Sequence, residues 1–548
     1  MNNPPKESIS DFINKHKTIL AVIIITLIAA FFRLWQIDQL PGGLFPDEAA
    51  NGIDVNSILQ GDRSPFFERG NGREGLFFYL LAFSVELFGR GPWQHHIVSA
   101  LIGITEVIAA FFLVRRMFGF KTAVIAAFFM AVSAWHITLS RTAFRAIMIP
   151  LFTTLTFYYI IKFIQSQYNR QKFYAAILAG AFFALGFYTY IAYRIMLVIL
   201  PALFAVLVYV KFKSLRQTFE MIFSYKKYLA ISAVSFLVFF APLGYYFYSH
   251  PGSFVGRSGQ VSVFTPDLNH GDLIGTILTV AEKTAWSFFT AGDLNWRHNV
   301  SGMPFLPPTI SIFFLAGLLY AIYRAIKYIY YKTDFRDGKY LIIIVWFFAM
   351  LVPELMTAEG IPHGLRLIGA TPAVFIFPAI FLAKIINYAL LKFKNNSAGA
   401  GLVTFTIAFY FALIFTGSYT AYFGVYVNSP EAYYAYRSDL TIVSDYLNRK
   451  AEENYLNHIE SYKPNIYLSL DKFSEQTVLY FTTLTNNPYI LIIPEKSYEV
   501  KLAPGDQIIF TQSTLFDITK FKQYHPDAKL VVEEKNKFGQ TIMEVYEE

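Results

Sequence analysis

The sequence predicts a polytopic α-helical membrane protein of about eleven transmembrane helices, carrying a small extracytoplasmic α/β domain at its C-terminal end. Three observations predict it. The 548 residues are 55% hydrophobic and 15% charged, with a mean hydropathy of +0.40, where a soluble domain carries roughly 25% charged residues. Apolar runs of about 20 residues, the length that spans a bilayer as a helix, recur along most of the chain. The lysines and arginines gather in alternate loops. Together these exclude a soluble enzyme, a disordered chain and a nucleic-acid-binding domain as whole-chain readings, so no nucleic-acid partner is expected. The absence of cysteine removes disulfides, thiolate nucleophiles and Cys-ligated metals.

The first apolar run, 18–35, is too long for a signal-peptide core and has no small-residue cleavage site after it. It reads as an anchoring span. Further spans are expected near 95–114, 122–140, 143–162, 173–191, 194–212, 227–248, 308–330, 340–357, 367–390 and 401–423. The segment 76–88 is apolar but short, and such segments lie at the interface or re-enter. The basic residues decide against its crossing. With 76–88 outside and the N-terminus cytoplasmic, the inner loops collect Lys6, Lys15 and Lys17, then Arg115, Arg116 and Lys121, then Lys162, Arg170 and Lys172. Later inner loops add Lys211, Lys213, Arg216, Lys226 and Lys227, then Arg324, Lys327, Lys332, Arg336 and Lys339, then Lys384, Lys392 and Lys394. That distribution is what the positive-inside rule requires, and a crossing at 76–88 would point most of it outward.

Residues 1–424 are therefore expected to form the transmembrane domain, with outer loops near 38–94 and 249–306, and the plasma (inner) membrane is its expected location. Residues 425–548 read as the extracytoplasmic α/β domain. Ser429-Pro430-Glu431 is a helix start, with Ser as N-cap and Pro at the first helical position. Short β-rich runs follow at 465–470, 489–493, 507–511 and 530–533.

The candidate functional residues are polar groups at the outward ends, because charge in or near a bilayer is costly. Asp47 and Glu48 directly follow the first span in Phe45-Pro46-Asp47-Glu48. A carboxylate partly screened from water suits a general base; two acids after Pro46 equally suit a helix N-terminus, where they favour the dipole. Arg73 and Glu74 lie in the glycine-rich run Arg69-Gly70-Asn71-Gly72-Arg73-Glu74-Gly75, a basic turn fit for a phosphate at Arg73 or simply for interfacial anchoring, with Glu74 a candidate contact to acceptor or sugar. Arg141, Arg145, Arg194 and Arg366 all sit at outer helix ends, with His363 beside the last. Each alone reads as a snorkelling anchor, yet four outward arginines run against the orientation bias. An anionic ligand explains the departure, and a polyprenyl-phosphate-linked sugar has the chemistry, since its tail needs lipid and its phosphate needs cations. In the second outer loop Asn295, Trp296, Arg297 and His298 suit stacking and hydrogen bonding to a sugar or acceptor, or a packed lid. No histidine pair has metal-ligand spacing: His95 and His96 are adjacent, and His298 has no nearby partner in the sequence. No cofactor and no divalent metal are expected.

An acidic pair in the first outer loop, the run Arg73-Glu74-Gly75-Leu76-Phe77-Phe78 leading to Leu87-Phe88-Gly89, and the late turn Pro362-His363-Gly364-Leu365-Arg366 resemble the GT-C glycosyltransferases. Within them the chain is similar to the protein O-mannosyltransferase and aminoarabinose transferase group, glycosyltransferase family 39 and its bacterial cousins, over roughly residues 15–425. The resemblance implies transfer of a sugar from a polyprenyl-phosphate donor on the extracytoplasmic face, with inversion, to an acceptor protein, lipid or glycan. It places the catalytic acid on Asp47 with Glu48 beside it, a basic residue on Arg73, and donor-phosphate contacts on His363 and Arg366. Arg73 stands where the family has Lys, and the two prolines that follow it there are absent here. Two other readings stand beside this one. An O-antigen-type ligase or polymerase would place its essential residues in a late outer loop, and a lipid-linked glycan transporter would place charges near mid-bilayer.

Overall fold

The computed structural model describes residues 9–70, 72–212, 214–254, 262–331, 335–456 and 464–548. Lys6, Lys213 and Lys332, three of the basic residues expected on inner loops, lie outside the described residues, as does the stretch 255–261 of the second outer loop. The chain divides into two compact units. One comprises 1–35, 65–77 and 99–425, and the other 36–64, 78–98 and 426–548.

The helices run in chain order as α1 (Ile9–Leu34), α2 (Pro46–Leu59), α3 (Leu76–Phe88), α4 (Pro92–Phe118), α5 (Phe120–Val132), α6 (Ala134–Ser140), α7 (Met148–Gln165), α8 (Asn169–Gly186) and α9 (Met196–Phe212). They continue as α10 (Leu215–Ser224), α11 (Lys226–Ser249), α12 (Pro266–Asn269), α13 (Leu273–Ser287), α14 (Pro308–Tyr331), α15 (Phe335–Leu355), α16 (Thr371–Lys392) and α17 (Ser397–Tyr419). Among the described residues, nine helices are long and apolar enough to cross a membrane, or ten when the bent pair α5 and α6 counts as one span. The difference from the eleven expected falls on 173–191. There α8 opens on Asn-Arg-Gln-Lys, so its 18 residues are less apolar than the run expected. With 13 residues, α3 is only about 20 Å long, short of the hydrocarbon core.

Within the first unit the helices pack closely. Where α14 crosses α16, Gly317 lies so near the Phe377 carbonyl that a Cβ would overlap it. Small residues at such crossings let backbones approach where lipid offers no hydrophobic drive. Lipid-sized apolar faces remain outside: α17 has one buried residue, Ile414, along its 23.

The second unit is built on a five-stranded sheet formed by β3 (Ile466–Ser469), β4 (Ile490–Ile492), β5 (Gln507–Thr511), β6 (Lys529–Lys535) and β7 (Thr541–Glu547), in the order β4-β3-β5-β7-β6. The first three are parallel; β7 runs antiparallel to β5 and β6, with Ile509 opposite Val545. Alternation sorts the side chains onto two faces. Ile509, Met543 and Val545 pack with Leu440, Val443 and Leu447 of α19 (Ser438–Leu456), while Ile508, Phe510 and Tyr546 pack with Phe521 of α21 (Ile518–Tyr524). Ser429 caps α18 (Pro430–Ala435), its hydroxyl accepting from Ala432 N at 3.4 Å. Leu44 and Ala49, around the start of α2, pack on Tyr480 of α20 (Glu475–Thr482) in the same unit.

Candidate active site

The acidic pair after the first span splits into two environments. Pro46 opens α2 and Phe45 is its N-cap, so Glu48 is the third helical residue. Its Oε2 accepts from Phe45 N at 3.0 Å, the return half of a capping box. Its Oε1 lies 3.3 Å from His96 Nε2, and both side chains are fully buried. The Glu48 carboxylate is thus committed to the start of α2. Asp47, one position earlier, is exposed, and its side chain makes no hydrogen bond or ion pair among the described residues. The helix-start reading of the dipeptide describes Glu48, while Asp47 is a solvent-exposed carboxylate.

The glycine-rich turn folds as a two-stranded hairpin, β1 (Phe66–Phe67) paired with β2 (Arg73–Glu74). It places Glu74, 1% exposed, between two of the outward arginines. Arg145 Nε donates to Oε2 at 3.2 Å and Arg194 Nη2 to Oε1 at 2.8 Å. Arg145 lies over the Tyr190 ring at 5.0 Å; Arg194 lies over Phe247 and Phe254 at 5.0 and 4.6 Å and also donates to the Phe254 carbonyl. One carboxylate facing two guanidiniums leaves the trio with a net positive charge. Aromatic faces hold both cations, which suits a guanidinium better than an ammonium. Arg141 differs from the surface position expected: it is completely buried, donates to Phe32 O at 3.2 Å and lies over Tyr422 at 5.3 Å.

The second outer loop meets the late turn within the first unit. Asp293 Oδ1 accepts from Asn295 N at 2.7 Å, and Asn295 Oδ1 from Arg297 N at 3.0 Å, two successive side-chain turns that shape the loop. Asp293 Oδ2 is 2.9 Å from His298 Nδ1 and accepts from Gly364 N at 2.7 Å. The His298 and His363 rings stand 4.3 Å apart. Trp296 and Arg297 are half-buried in the same loop, the latter's carbonyl 3.2 Å from Thr142 Oγ1. Glu354, near the end of α15, accepts from His363 N at 2.8 Å and lies 4.0 Å from Arg366 Nη1, which also donates to Thr357 Oγ1 at 3.0 Å.

Burial sets the charge of this cluster. It lowers the His298 pKa in spite of Asp293, and it lowers that of His363 well below the usual range, with His298, Arg366 and Arg297 adding to the effect. Both imidazoles are therefore neutral at ordinary pH, so His363 would meet a phosphate as a hydrogen-bonding group, leaving the charge to Arg366. Neutral imidazole is also the ligating form. The ligand atoms of Asp293, His298 and His363 lie within 4.8 Å of one another, and His363 Nδ1 is buried with no hydrogen-bond partner among the described residues. These three could hold a divalent cation. The expectation that His298 lacks a partner is corrected by the fold, which brings His363 to it from a distant part of the chain. Asp293 and Glu354 were not singled out from sequence. Glu354 had one available signal, a lone acid after Pro353 at the outward end of an apolar run.

Several solved structures share this architecture. ArnT from Cupriavidus metallidurans, bound to undecaprenyl phosphate, superposes with a TM-score of 0.52 at 12% identity over 97% of this chain and 98% of its own. The Archaeoglobus fulgidus oligosaccharyltransferase tethered with an acceptor peptide gives 0.51 at 14% identity over 97% and 74%. The oligosaccharyltransferase AglB of the same organism, with an inhibitory peptide and a dolichol-phosphate, gives 0.51 at 15% over 88% and 65%. The chain has the GT-C fold. Residues 75–246 also match the family described as dolichyl-phosphate-mannose-protein mannosyltransferase, so the GT-C likeness of sequence and of structure meet on the same segment. No curated protein matches the chain by sequence. The matched segment contains Arg141, Arg145 and Arg194 and begins one residue after Glu74, the carboxylate that joins Arg145 and Arg194.

Proposed function

We propose that this protein is an integral membrane glycosyltransferase that moves a sugar from a polyprenyl-phosphate donor to an acceptor on the extracytoplasmic face. The observation that carries this reading is the net-positive trio of Glu74, Arg145 and Arg194 in a chain of GT-C fold. The undecaprenyl phosphate of ArnT and the dolichol-phosphate of AglB support the donor class.

The acceptor group attacks the anomeric carbon, the bond from that carbon to the phosphate oxygen breaks, and polyprenyl phosphate leaves. Asp47, exposed and unengaged, takes the acceptor proton. Arg145, Arg194 and Arg366 stabilise the charge that develops on the departing phosphate. A polyprenyl phosphate is already a competent leaving group, so this chemistry calls for no divalent ion.

Asp47→Asn removes the base and keeps the shape. It is expected to abolish sugar transfer from a polyprenyl-phosphate donor while the purified protein still binds undecaprenyl phosphate; full transfer by that variant would sink the assignment. The orientation has its own check. The chain has no cysteine, so single cysteines introduced at Lys394 and at Lys537 report sidedness cleanly. An impermeant maleimide applied to intact cells is expected to label the second and spare the first.

A further inference from the structure

The bend between α5 and α6 turns the chain by 62° at Ser133, inside the stretch expected as one span. Such a break leaves carbonyls of the first helix without their intrahelical donors, which is costly away from water. Here a side chain from another helix meets them. Arg33, fully buried near the end of α1, donates through Nη1 to Ala131 O at 2.9 Å and through Nη2 to Met130 O at 3.2 Å, both at the C-terminal end of α5. The same guanidinium reaches α6: Nη2 lies 2.6 Å from His136 Nδ1 and Nε 3.3 Å from Ser140 Oγ.

Arginine can only donate, so His136 Nδ1 accepts and Nε2 carries the hydrogen. That hydrogen points to Glu106 Oε2 of α4 at 2.9 Å. Thr371 Oγ1, the first residue of α16, lies 3.2 Å from the other Glu106 oxygen. Arg33, His136 and Glu106 are all 0% exposed. Arg33 and Glu106 are thus joined through a neutral imidazole of fixed tautomer, tying α6 to α1, α4 and α16. The packing leaves no slack: a Cβ on Gly103 of α4 would overlap Ser140 Oγ and come within 3.1 Å of Arg33 Nε.

What leaves α6 is the turn that carries Arg141 and Arg145. Arg141 follows Ser140 and bonds back to Phe32 O, beside Arg33; Thr142 reaches the Arg297 carbonyl; Arg145 pairs with Glu74. We infer that Arg33, His136 and Glu106 are positioning residues, which lock α6 so that Arg145 meets Glu74 in the geometry that binds a polyprenyl phosphate. This rests on the reading of Arg145 as a phosphate ligand.

The test compares undecaprenyl-phosphate affinity with thermal stability in full-length protein reconstituted in nanodiscs. Arg33→Met and Glu106→Gln each strand a buried partner and are expected to lower both. The double variant, Arg33→Met with Glu106→Gln, strands no charge, so stability recovers while affinity stays about tenfold or more below the parent. Gly103→Ala keeps every charge and is expected to weaken binding by crowding Ser140 and the Arg33 Nε beside it, which makes the proposal testable if the charge variants do not fold. Parent-like affinity in the double variant or in Gly103→Ala would overturn the positioning role and leave a purely structural staple. Arg145→Ala separates the two levels. If it binds undecaprenyl phosphate like the parent, the phosphate reading itself falls; if it binds weakly while the network variants bind normally, only the positioning role falls.

Discussion

Two buried glutamates, Glu48 in one unit and Glu74 in the other, begin from the same chemistry and end in opposite states. Glu48 accepts a backbone amide and faces His96, so its charge serves the start of a helix. Glu74 stands between Arg145 and Arg194 and leaves a surplus of positive charge. Burial is common to both carboxylates; what differs is the partners described for each, a backbone amide and a histidine for Glu48 and two guanidiniums for Glu74. Asp293 is a third case, a buried carboxylate whose side-chain partner is His298, next to a second neutral imidazole.

Removing each group should magnify these differences. Glu74→Ala strands two guanidiniums, and breaking a buried ion pair costs about 3–5 kcal/mol, so a large fall in thermal stability is expected together with loss of transfer. A stable, active Glu74→Ala protein would mean that the arginines do not depend on it. Glu48→Ala removes the return half of a capping box and is expected to cost about 1–2 kcal/mol. Asp47→Asn next to it should leave the melting temperature where it is, so equal destabilisation by the two changes would erase the contrast drawn between neighbours.

The smallest effect per group belongs to the histidines. Burial holds His298 and His363 below the ordinary value of 6.5, so the unfolded chain binds protons more readily than the folded one. Stability from this source is complete above that value and is lost as pH falls beneath it, by at most about 1.4 kcal/mol per pH unit for each histidine. Melting curves between pH 7.5 and pH 5 should show the decline, and His363→Gln should flatten it; an unchanged slope would mean the imidazole is not held neutral.

Much of the architecture could be read in one dimension. A membrane helix is announced by composition over its own length, and a cap by two or three adjacent residues. Hence α14, α16 and α17 fell close to the expected runs, and Ser429 caps α18 as its sequence suggests. The strand 507–511 was found where it lies, but β7 was not anticipated, although Ile542, Met543, Val545 and Tyr546 are buried and β5 pairs with it. Its apolar residues are interleaved with Glu544 and Glu547, which dilutes the local signal. The span expected at 173–191 corresponds to α8, which begins four polar residues earlier than its apolar stretch and so is less apolar over its length than the other candidate spans.

The sequence by itself determined that this chain lives in a membrane, which loops carry its positive charge, and which polar residues lie at the ends of its apolar runs. Periodicity, length and charge are local quantities, and the bilayer imposes them locally. Only the tertiary structure decided how those residues are used: that Asp47 is open and Glu48 closed, that Arg145 and Arg194 share Glu74, that Arg141 is sealed inside, and that His363 reaches His298. Pairings of this kind join residues far apart in the chain, and no local pattern encodes them.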